Sequence, residues 1–498
     1  MKVEAHYDLL VVGGGITGAA VLHAAAERGL RALLVERGDF AGGTSSWSSK
    51  LIHGGLRYLK SGQWRLTLES VRERERLLVE RPGLVEAQPF LMPMFDGESP
   101  GPATLSTGFW IADMMAGRRT SRRVDADDAA AAEPLLTRNG LRGAIAYRDG
   151  VVDDARLVLR LVFDAVKLGA TALNHVEATL LEPGGRVTGA RLEDRHSGER
   201  HEVTATVTVH AAGVWAGQAP GAPRLRPLRG SHLVFPQALL PLRRGLAWMH
   251  PRDRRPVFAH PWEGAVVVGT TDVDHADAEA PARVSAAEAA YLVEALRKPF
   301  PQFALRSGMA VSAYAGLRAI VVPPGRENAA PSAMARDSAL WSRPGLVGIT
   351  GGKLTTHRAT ALAVLREAAR QGLRITQRPA AAAPVEGRLA GRLGADGAAW
   401  VAARPADERR PLLGTPYALA ELLWSLQAEQ VRGLDDLLLR RTRLGLVAAD
   451  GAAALLPLLE APCREALGWD AERWADEVAR YRETWAARHA PPADNAPP

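Results

Sequence analysis

Residues 7–36 run YDLLVV, GGGITG, AAVLHAAAERG and RALLVE. An apolar run of strand length, a glycine turn, a stretch of small apolar residues and a second apolar run predict strand, turn, helix and strand in about 30 residues. Farther on, DDARLVLRLVFDAVKLGA (153–170) has helical periodicity and ends on a glycine, and TALNHVEATLLE reads as a strand. A polar hairpin follows, and VTVHAAGVWAG (207–217) predicts a buried strand entering a turn of small residues around Gly213. Residues 225–320 carry many short β-like runs, among them GSHLVFP and AVVVGTTDV, which predict an antiparallel sheet with one wet face. GGKLTTHRATALAVLREAARQG (351–372) is a glycine pair leading into an amphipathic helix. Residues 376–387 read as a linker, 388–487 carry helical patterns alone, and the tail APPADNAPP predicts disorder. No internal repeat is present.

Gly13, Gly15 and Gly18 occupy G-x-G-x-x-G positions, and Glu36 closes the second strand 18 residues past Gly18. The first glycine makes the tight turn, the second admits a pyrophosphate, and the third lets helix and strand pack closely. The helix N-terminus then faces the phosphates. An acid at Glu36, where a base would suit a 2′-phosphate, favours an unphosphorylated ribose diol and hence FAD or NAD. The helix after Gly351–Gly352 offers a second N-terminus where backbone donors can converge on negative charge.

At 498 residues the chain is long enough for about three folding units, and 47% hydrophobic residues supports real cores. Its single cysteine, Cys463, excludes internal disulfides, a cysteine-ligated iron–sulfur cluster and a redox dithiol, so redox chemistry must come from a bound organic cofactor. The net charge of +7 favours anionic partners. Leu9–Ala26 lacks charged residues, but its glycines and the strand beginning at Tyr7 argue against a membrane span or leader, which predicts a cytoplasmic protein, soluble or surface-bound. Of 62 cationic residues only Lys2, Lys50, Lys60, Lys167, Lys298 and Lys353 are lysines. A lysine inside a turn of small residues is therefore a candidate donor, as at Lys50 and Lys353, because an ammonium is a compact group that guanidinium replaces poorly.

GGTSSWSSKLIHGGLRYL (42–59) resembles the signature of the FAD-dependent, respiratory sn-glycerol-3-phosphate dehydrogenases. GVVDDARLV, HAAGVWAG, PLRGSHLVFP, VVGTTDVDH, AYAGLRAI, GGKLTTHR and DDLLLRRTRLGL extend the resemblance over nearly the whole chain. It implies oxidation of sn-glycerol 3-phosphate at C2 to dihydroxyacetone phosphate, with electrons passing through FAD to a membrane quinone. Such chemistry needs a phosphate clamp, a proton acceptor and donors at the flavin. Arg57 and Arg318 match the family's clamp positions, with Tyr58 as a hydroxyl donor and Arg336 as a further active-site position. His232 is the first candidate for the proton and His53 its rival, whereas His357 is expected to pack at its helix start. Lys353 with Gly352, Leu354 and Thr355 would offset charge on the reduced flavin. Thr44, Ser45, Ser46, Lys50, His53, Gly54 and Gly213 complete the expected cofactor site. No metal is expected.

The chain departs from the family at Ala319, where proline is usual, and at His357, where tyrosine is common. TGFWIADMMAGRRTSRR (107–123) joins Phe109, Trp110, Met114 and Met115 to four arginines, which suits an anionic membrane surface and equally a buried helix with a solvated end; the resemblance implies the former, on the inner face of the cell membrane. The arginines are otherwise dispersed and accompany no recognition motif, which argues against nucleic acid. An oxidase of the same fold, making hydrogen peroxide, and a non-catalytic FAD-binding protein on the membrane are the competing readings, and a homodimer is possible. The expected fold is an α/β Rossmann-type FAD-binding domain (1–90, 150–226, 337–374) with an inserted antiparallel α+β substrate domain (91–149, 227–336). A linker (375–387), an all-α C-terminal domain (388–489) and a disordered tail (490–498) follow.

Overall fold

Leu9, Leu10 and Val11 are all fully buried, as a strand covered on both faces requires. The computed structural model describes residues 2–54, 64–97, 101–219, 221–323, 325, 338–376 and 386–493. Arg57, Tyr58 and Arg336 lie outside these, as do most of the expected linker and tail. β1 (His6–Val12), α1 (Ile16–Ala26) and β2 (Ala32–Val35) form the opening βαβ unit. The chain then leaves for a second sheet through β3 (Leu51–Ile52), α2 (Trp64–Glu80), β4 (Val85–Phe95), α3 (Pro102–Ala116), β5 (Arg122–Val124), α4 (Ala126–Ala132) and β6 (Leu141–Val152). α5 (Asp154–Lys167) returns it to the first, where β7 (Thr171–Leu173), β8 (Val176–Leu181), β9 (Gly189–Asp194) and β10 (Arg200–His210) follow. A second excursion supplies β11 (Leu225–Pro236), β12 (Gly245–Met249), β13 (Pro256–Trp262), β14 (Ala265–Gly269), β15 (Val273–Asp274), α6 (Ala286–Arg297) and β16 (Ser312–Val321). β17 (Ser338–Arg343), β18 (Leu346–Gly351) and α7 (His357–Arg370) close the first layer.

The first sheet has the order β17-β18-β10-β1-β2-β7. β10, β1, β2 and β7 run parallel, as do β10 and β18. Leu9 and Val11 pack into α1, α5 and α7, while Leu10 packs on the other face against Val176 and Leu192 of the β8–β9 hairpin. The period of two in the side-chain directions thus separates two apolar layers.

The second sheet has the order β15-β11-β14-β13-β12-β4-β6-β3, with β16 also on β11. Its pairs are antiparallel except β12 with β4, which run parallel. It begins at β3 and at Val85, so residues 85–90, expected in the first domain, belong to the second. The expected wet face is also corrected. Leu233 and Phe235 pack towards α6, and Val234, Val267 and Tyr314 on the opposite face are covered by Leu422, Leu437 and Leu444 of the C-terminal helices. Those helices include α8 (Arg388–Ala402), α9 (Leu419–Ala428), α10 (Leu456–Leu467) and α11 (Ala471–His489).

The helical region is held by buried ion pairs as well as apolar contact. Asp153 caps α5 by accepting from the Arg156 amide and also receives Arg443 at 2.9 Å and Arg392 at 3.2 Å. Asp154 takes the other prong of Arg443 and, at 2.9 Å, Lys50. Arg156 makes a two-pronged pair with Glu429 at 2.7 and 2.8 Å, and Asp39 binds both Arg440 and Arg441. These cations are buried, because planar guanidinium can satisfy several acceptors at once.

Removing one member of such a cluster strands its partners in the interior. Arg443→Ala is expected to cost about 3–5 kcal/mol of stability, read as a lower urea midpoint, with Arg443→Lys recovering only part of it. Asp39 offers a pH test. Burial alone would raise its pKa, but Arg441 and Arg440 hold it down to about 2, against about 3.9 unfolded. Its contribution is therefore complete above about pH 4 and lost as the pH falls towards 2. Tryptophan fluorescence in an acid titration is expected to report loosening of the helical domain in that window.

Candidate functional site

A cavity of about 2140 Å³ runs from the carboxyl ends of the first sheet's strands to β16 and α3. That exceeds the roughly 300–1,000 Å³ of a site for one drug-sized ligand, so there is room for a dinucleotide and a second molecule. The trough begins at the first glycine turn. A Cβ at Gly13, where φ is +113°, would lie 2.5 Å from the Ala211 carbonyl, and one at Gly18 would lie 1.9 Å from the Gly13 carbonyl. Gly18 thus serves helix packing and does not line the cavity, while Gly13 and Gly15 do. Gly15 is the N-cap of α1 and supplies no side-chain cap, so the helix end points its donors at the trough. Ser45 receives the Ile16 amide at 2.9 Å.

Glu36 closes the far end. Its two oxygens accept from the amides of Gly14 and Gly38 at 2.7 and 2.8 Å. Burial pushes its pKa up against those two donors. Each oxygen keeps a lone pair for a diol. Glycines that leave no room for a Cβ, an uncapped helix end and an acid at the strand terminus together fit FAD.

The second helix end also faces the cavity. Gly351 and Gly352 have φ of +73° and +80°, which turns β18 into the loop carrying Lys353, Leu354 and Thr355 along the wall. Lys353 donates to Ser70 of α2 at 3.4 Å. His357 is buried with Nδ1 2.8 Å from the Leu354 carbonyl, and burial lowers its pKa to about 4, so it holds the helix start. Gly213 lines the wall where β10 ends.

The turn at 42–50 divides by direction. Thr44, Ser45 and Ser49 line the cavity, and Thr44 donates to the Leu317 carbonyl, stitching the turn to β16. Ser46 and Lys50 do not reach it. Ser46 is fully buried, and Lys50 bonds both oxygens of Asp154 at 2.9 Å. Burial lowers its pKa to about 8 in spite of Asp154. These two, expected at the cofactor, support the turn from beneath.

His232, the first candidate for the proton, is also set back from the wall. It stacks on Tyr314 with 4.6 Å between ring centres, and its Nε2 lies 2.8 Å from the Ser49 hydroxyl. Burial, then Arg318 and Lys50, push its pKa well down. The ring sits behind Ser49, and the groups at the wall are Ser49, His53 and Gly54.

Arg318 does reach the cavity. Its guanidinium lies across β11, where a Cβ at Gly230 would come within 2.2 Å of Nη2. It donates to Asp272 at 3.1 Å, to the Thr271 carbonyl at 3.2 Å and to Thr270 at 3.0 Å. Ser49, Asp272 and Thr270 were not among the expected site residues. Ser49 sits in the same TSSWSSK run as Thr44, but its direction follows from partners distant in sequence: its own hydroxyl meets His232, and its neighbour Ser48 is held by Asp154, more than a hundred residues away.

A third branch is apolar. Phe109 of α3 and Tyr147 of β6 have ring centres 4.8 Å apart, beside Met92 and Phe258. Arg74 meets Asp149 here at 3.1 Å, and burial raises the Asp149 pKa to about 6.

Residues 8–363 match the family described as FAD dependent oxidoreductase, and residues 364–474 match the C-terminal domain of alpha-glycerophosphate oxidase. The chain is 36% identical over 366 residues to the aerobic glycerol-3-phosphate dehydrogenase of Bacillus subtilis (strain 168), covering 71% of this chain and 65% of that protein. It is 34% identical over 374 residues to the protein of the same name from Staphylococcus saprophyticus, covering 73% and 67%. The match thus spans about two thirds of these relatives' length. The X-ray structure of the glycerol-3-phosphate dehydrogenase from Bacillus halodurans complexed with FAD is similar over 99% of this chain and 97% of that one, with a TM-score of 0.76 and 26% identity. The dithionite-reduced L-alpha-glycerophosphate oxidase from Mycoplasma pneumoniae with FAD bound shares the fold, at a TM-score of 0.60 and 19% identity over 77% of this chain and 99% of that one.

If Glu36 receives the ribose diol, Glu36→Ala should weaken FAD retention about tenfold, the worth of one charge-assisted hydrogen bond. Flavin release on ultrafiltration measures it, with unchanged retention as the contrary result.

Proposed function

The chain belongs to the FAD-dependent oxidoreductases, in the family of the aerobic glycerol-3-phosphate dehydrogenases, and from that membership we propose that it oxidises sn-glycerol 3-phosphate at C2 to dihydroxyacetone phosphate. The observation that carries this reading is Arg318, held across Gly230 and opening on the cavity that also receives the two glycine-led helix ends. A phosphomonoester carries close to two negative charges at neutral pH, and guanidinium matches its oxygens. The oxidation removes the C2 hydrogen with its electron pair and the hydroxyl hydrogen as a proton, leaving a C2=O bond.

When bound, FAD supplies the two-electron acceptor. The chain's residues supply the rest. Gly13, Gly15 and the start of α1 hold the pyrophosphate, and Glu36 holds the ribose. Lys353, with the amides beside it, offsets negative charge that builds during the reaction. His53, at the wall, takes the hydroxyl proton. His232 is unprotonated at working pH because its pKa is pushed well down, and the bond between its Nε2 and the Ser49 hydroxyl fixes that hydroxyl's position.

For the electron acceptor the reading is a membrane quinone, and the enzyme sits on the inner face of the cell membrane. The apolar branch beside Phe109 and Tyr147 supports it. So does the outer side of α3, where Trp110 and Met114 are 60% and 62% exposed and exposed Arg118, Arg119, Arg122 and Arg123 follow. Among the described residues no helix is long and apolar enough to cross a membrane. The match of 364–474 to an oxidase domain favours a second reading in which oxygen is the acceptor.

Turnover of sn-glycerol 3-phosphate with a soluble quinone analogue, with peroxide followed in parallel, decides between the acceptors. Quinone reduction without peroxide supports the dehydrogenase, stoichiometric peroxide supports the oxidase, and neither product would overturn the activity. Lys353→Met is expected to lower kcat by about a hundredfold, the usual loss of one donor to developing charge, with FAD content unchanged.

A further inference from the structure

Arg318 is not alone on Asp272. Arg255, just ahead of β13, brings Nη2 to the second oxygen of the same carboxylate at 2.8 Å and Nη1 to the Asp272 carbonyl at 3.3 Å. The two guanidiniums therefore sit on either oxygen of one buried acid, and both line the cavity with about a fifth of each side chain exposed, 22% for Arg255 and 21% for Arg318. One arginine would neutralise Asp272. The second adds a further planar donor set at the cavity wall, which suits an anion with several oxygens.

The carboxylate between them is rigidly placed. Thr271, its neighbour, accepts from the Ser231 amide at 2.9 Å and donates to Glu288 at 2.8 Å. Glu288 in turn closes the capping box at the start of α6. The position of Asp272 is thus fixed by β11 and α6 together, and the two arginines inherit it.

We infer that Arg255 and Arg318 form a paired clamp for the phosphomonoester of the substrate, with Asp272 as the positioning residue that sets their spacing. The inference rests on the substrate class proposed above, and it assigns Arg255 a binding role that the sequence motifs do not give it. Asp272 touches neither substrate nor cofactor; it acts through the two guanidiniums.

The test uses the FAD-loaded full chain and its variants Arg255→Ala, Arg255→Lys and Asp272→Asn. Three quantities are read for each: KM and kcat for sn-glycerol 3-phosphate, FAD per chain, and the Kd for inorganic phosphate from its perturbation of the flavin absorbance. Arg255→Ala is expected to raise KM and the phosphate Kd together by about tenfold or more, the loss of one charge-assisted contact, with kcat and FAD content little changed. Arg255→Lys, a point charge without the fork, should recover part of the loss. Asp272→Asn should raise both constants as well, and a misfolded Asp272→Asn leaves the Arg255 pair to decide. Wild-type KM and wild-type phosphate affinity in Arg255→Ala would overturn the clamp. A wild type that binds phosphate in an Arg255-dependent manner yet does not oxidise sn-glycerol 3-phosphate would sink the substrate and leave the clamp standing.

Discussion

Two adjacent acids at the start of α5, Asp153 and Asp154, carry the architecture. Asp154 accepts the Ser48 amide and hydroxyl at 3.0 and 2.7 Å and the Lys50 ammonium at 2.9 Å, which fixes the turn at 42–50 from below. Asp153 and Asp154 share Arg443, and Asp153 takes Arg392, which fixes the helical domain from the far side. The turn in turn carries Thr44, Ser45 and Ser49 to the cavity wall. Buried charges of this kind add little net stability compared with an apolar core, yet removing one leaves the others unpaired. They specify which surfaces meet, and so where the cavity wall stands.

The cavity itself is a seam. The first sheet offers two helix ends with backbone donors, and the second offers Arg318 across Gly230 with Thr270 beside it. Thr44 ties the two by donating to the Leu317 carbonyl of β16. A redox reaction on a small anion needs the electron acceptor and the anion clamp within one molecule's reach, and the seam gives each half to a different sheet.

Much of this was legible in the chain. The opening βαβ unit, Gly13, Gly15, Gly18 and Glu36 follow from contacts within 30 residues, where local periodicity and steric rules decide the outcome. Gly352, Lys353, Leu354 and Thr355 follow from a glycine pair ahead of a helix in the same way. Lys50 was conspicuous as a lysine in an arginine-rich chain, but its partner is Asp154, distant in sequence, so the motif marked the residue and misread its direction. His232 lies on the expected strand, yet the pairing of β11 with β14 and β16 sets its ring beside Tyr314, behind Ser49. The sheet read as half-wet because its polar alternation is weak evidence once a third domain covers the outer face. Buried Arg156, Arg392, Arg441 and Arg443 escaped notice because an arginine's burial depends on which acids meet it in the folded chain. The trio on Asp272 is of the same kind, built from three segments that no spacing rule connects.

The most direct measurement of the central claim is a single-turnover one: absorbance of the bound flavin near 450 nm, without oxygen and without an added acceptor, on mixing with sn-glycerol 3-phosphate, its enantiomer or glycerol. The account predicts rapid bleaching by sn-glycerol 3-phosphate alone, since that enantiomer is the proposed substrate and the proposed clamp needs its phosphate. A flavin that stays oxidised in stoichiometrically loaded protein, or bleaches equally with glycerol, would contradict it.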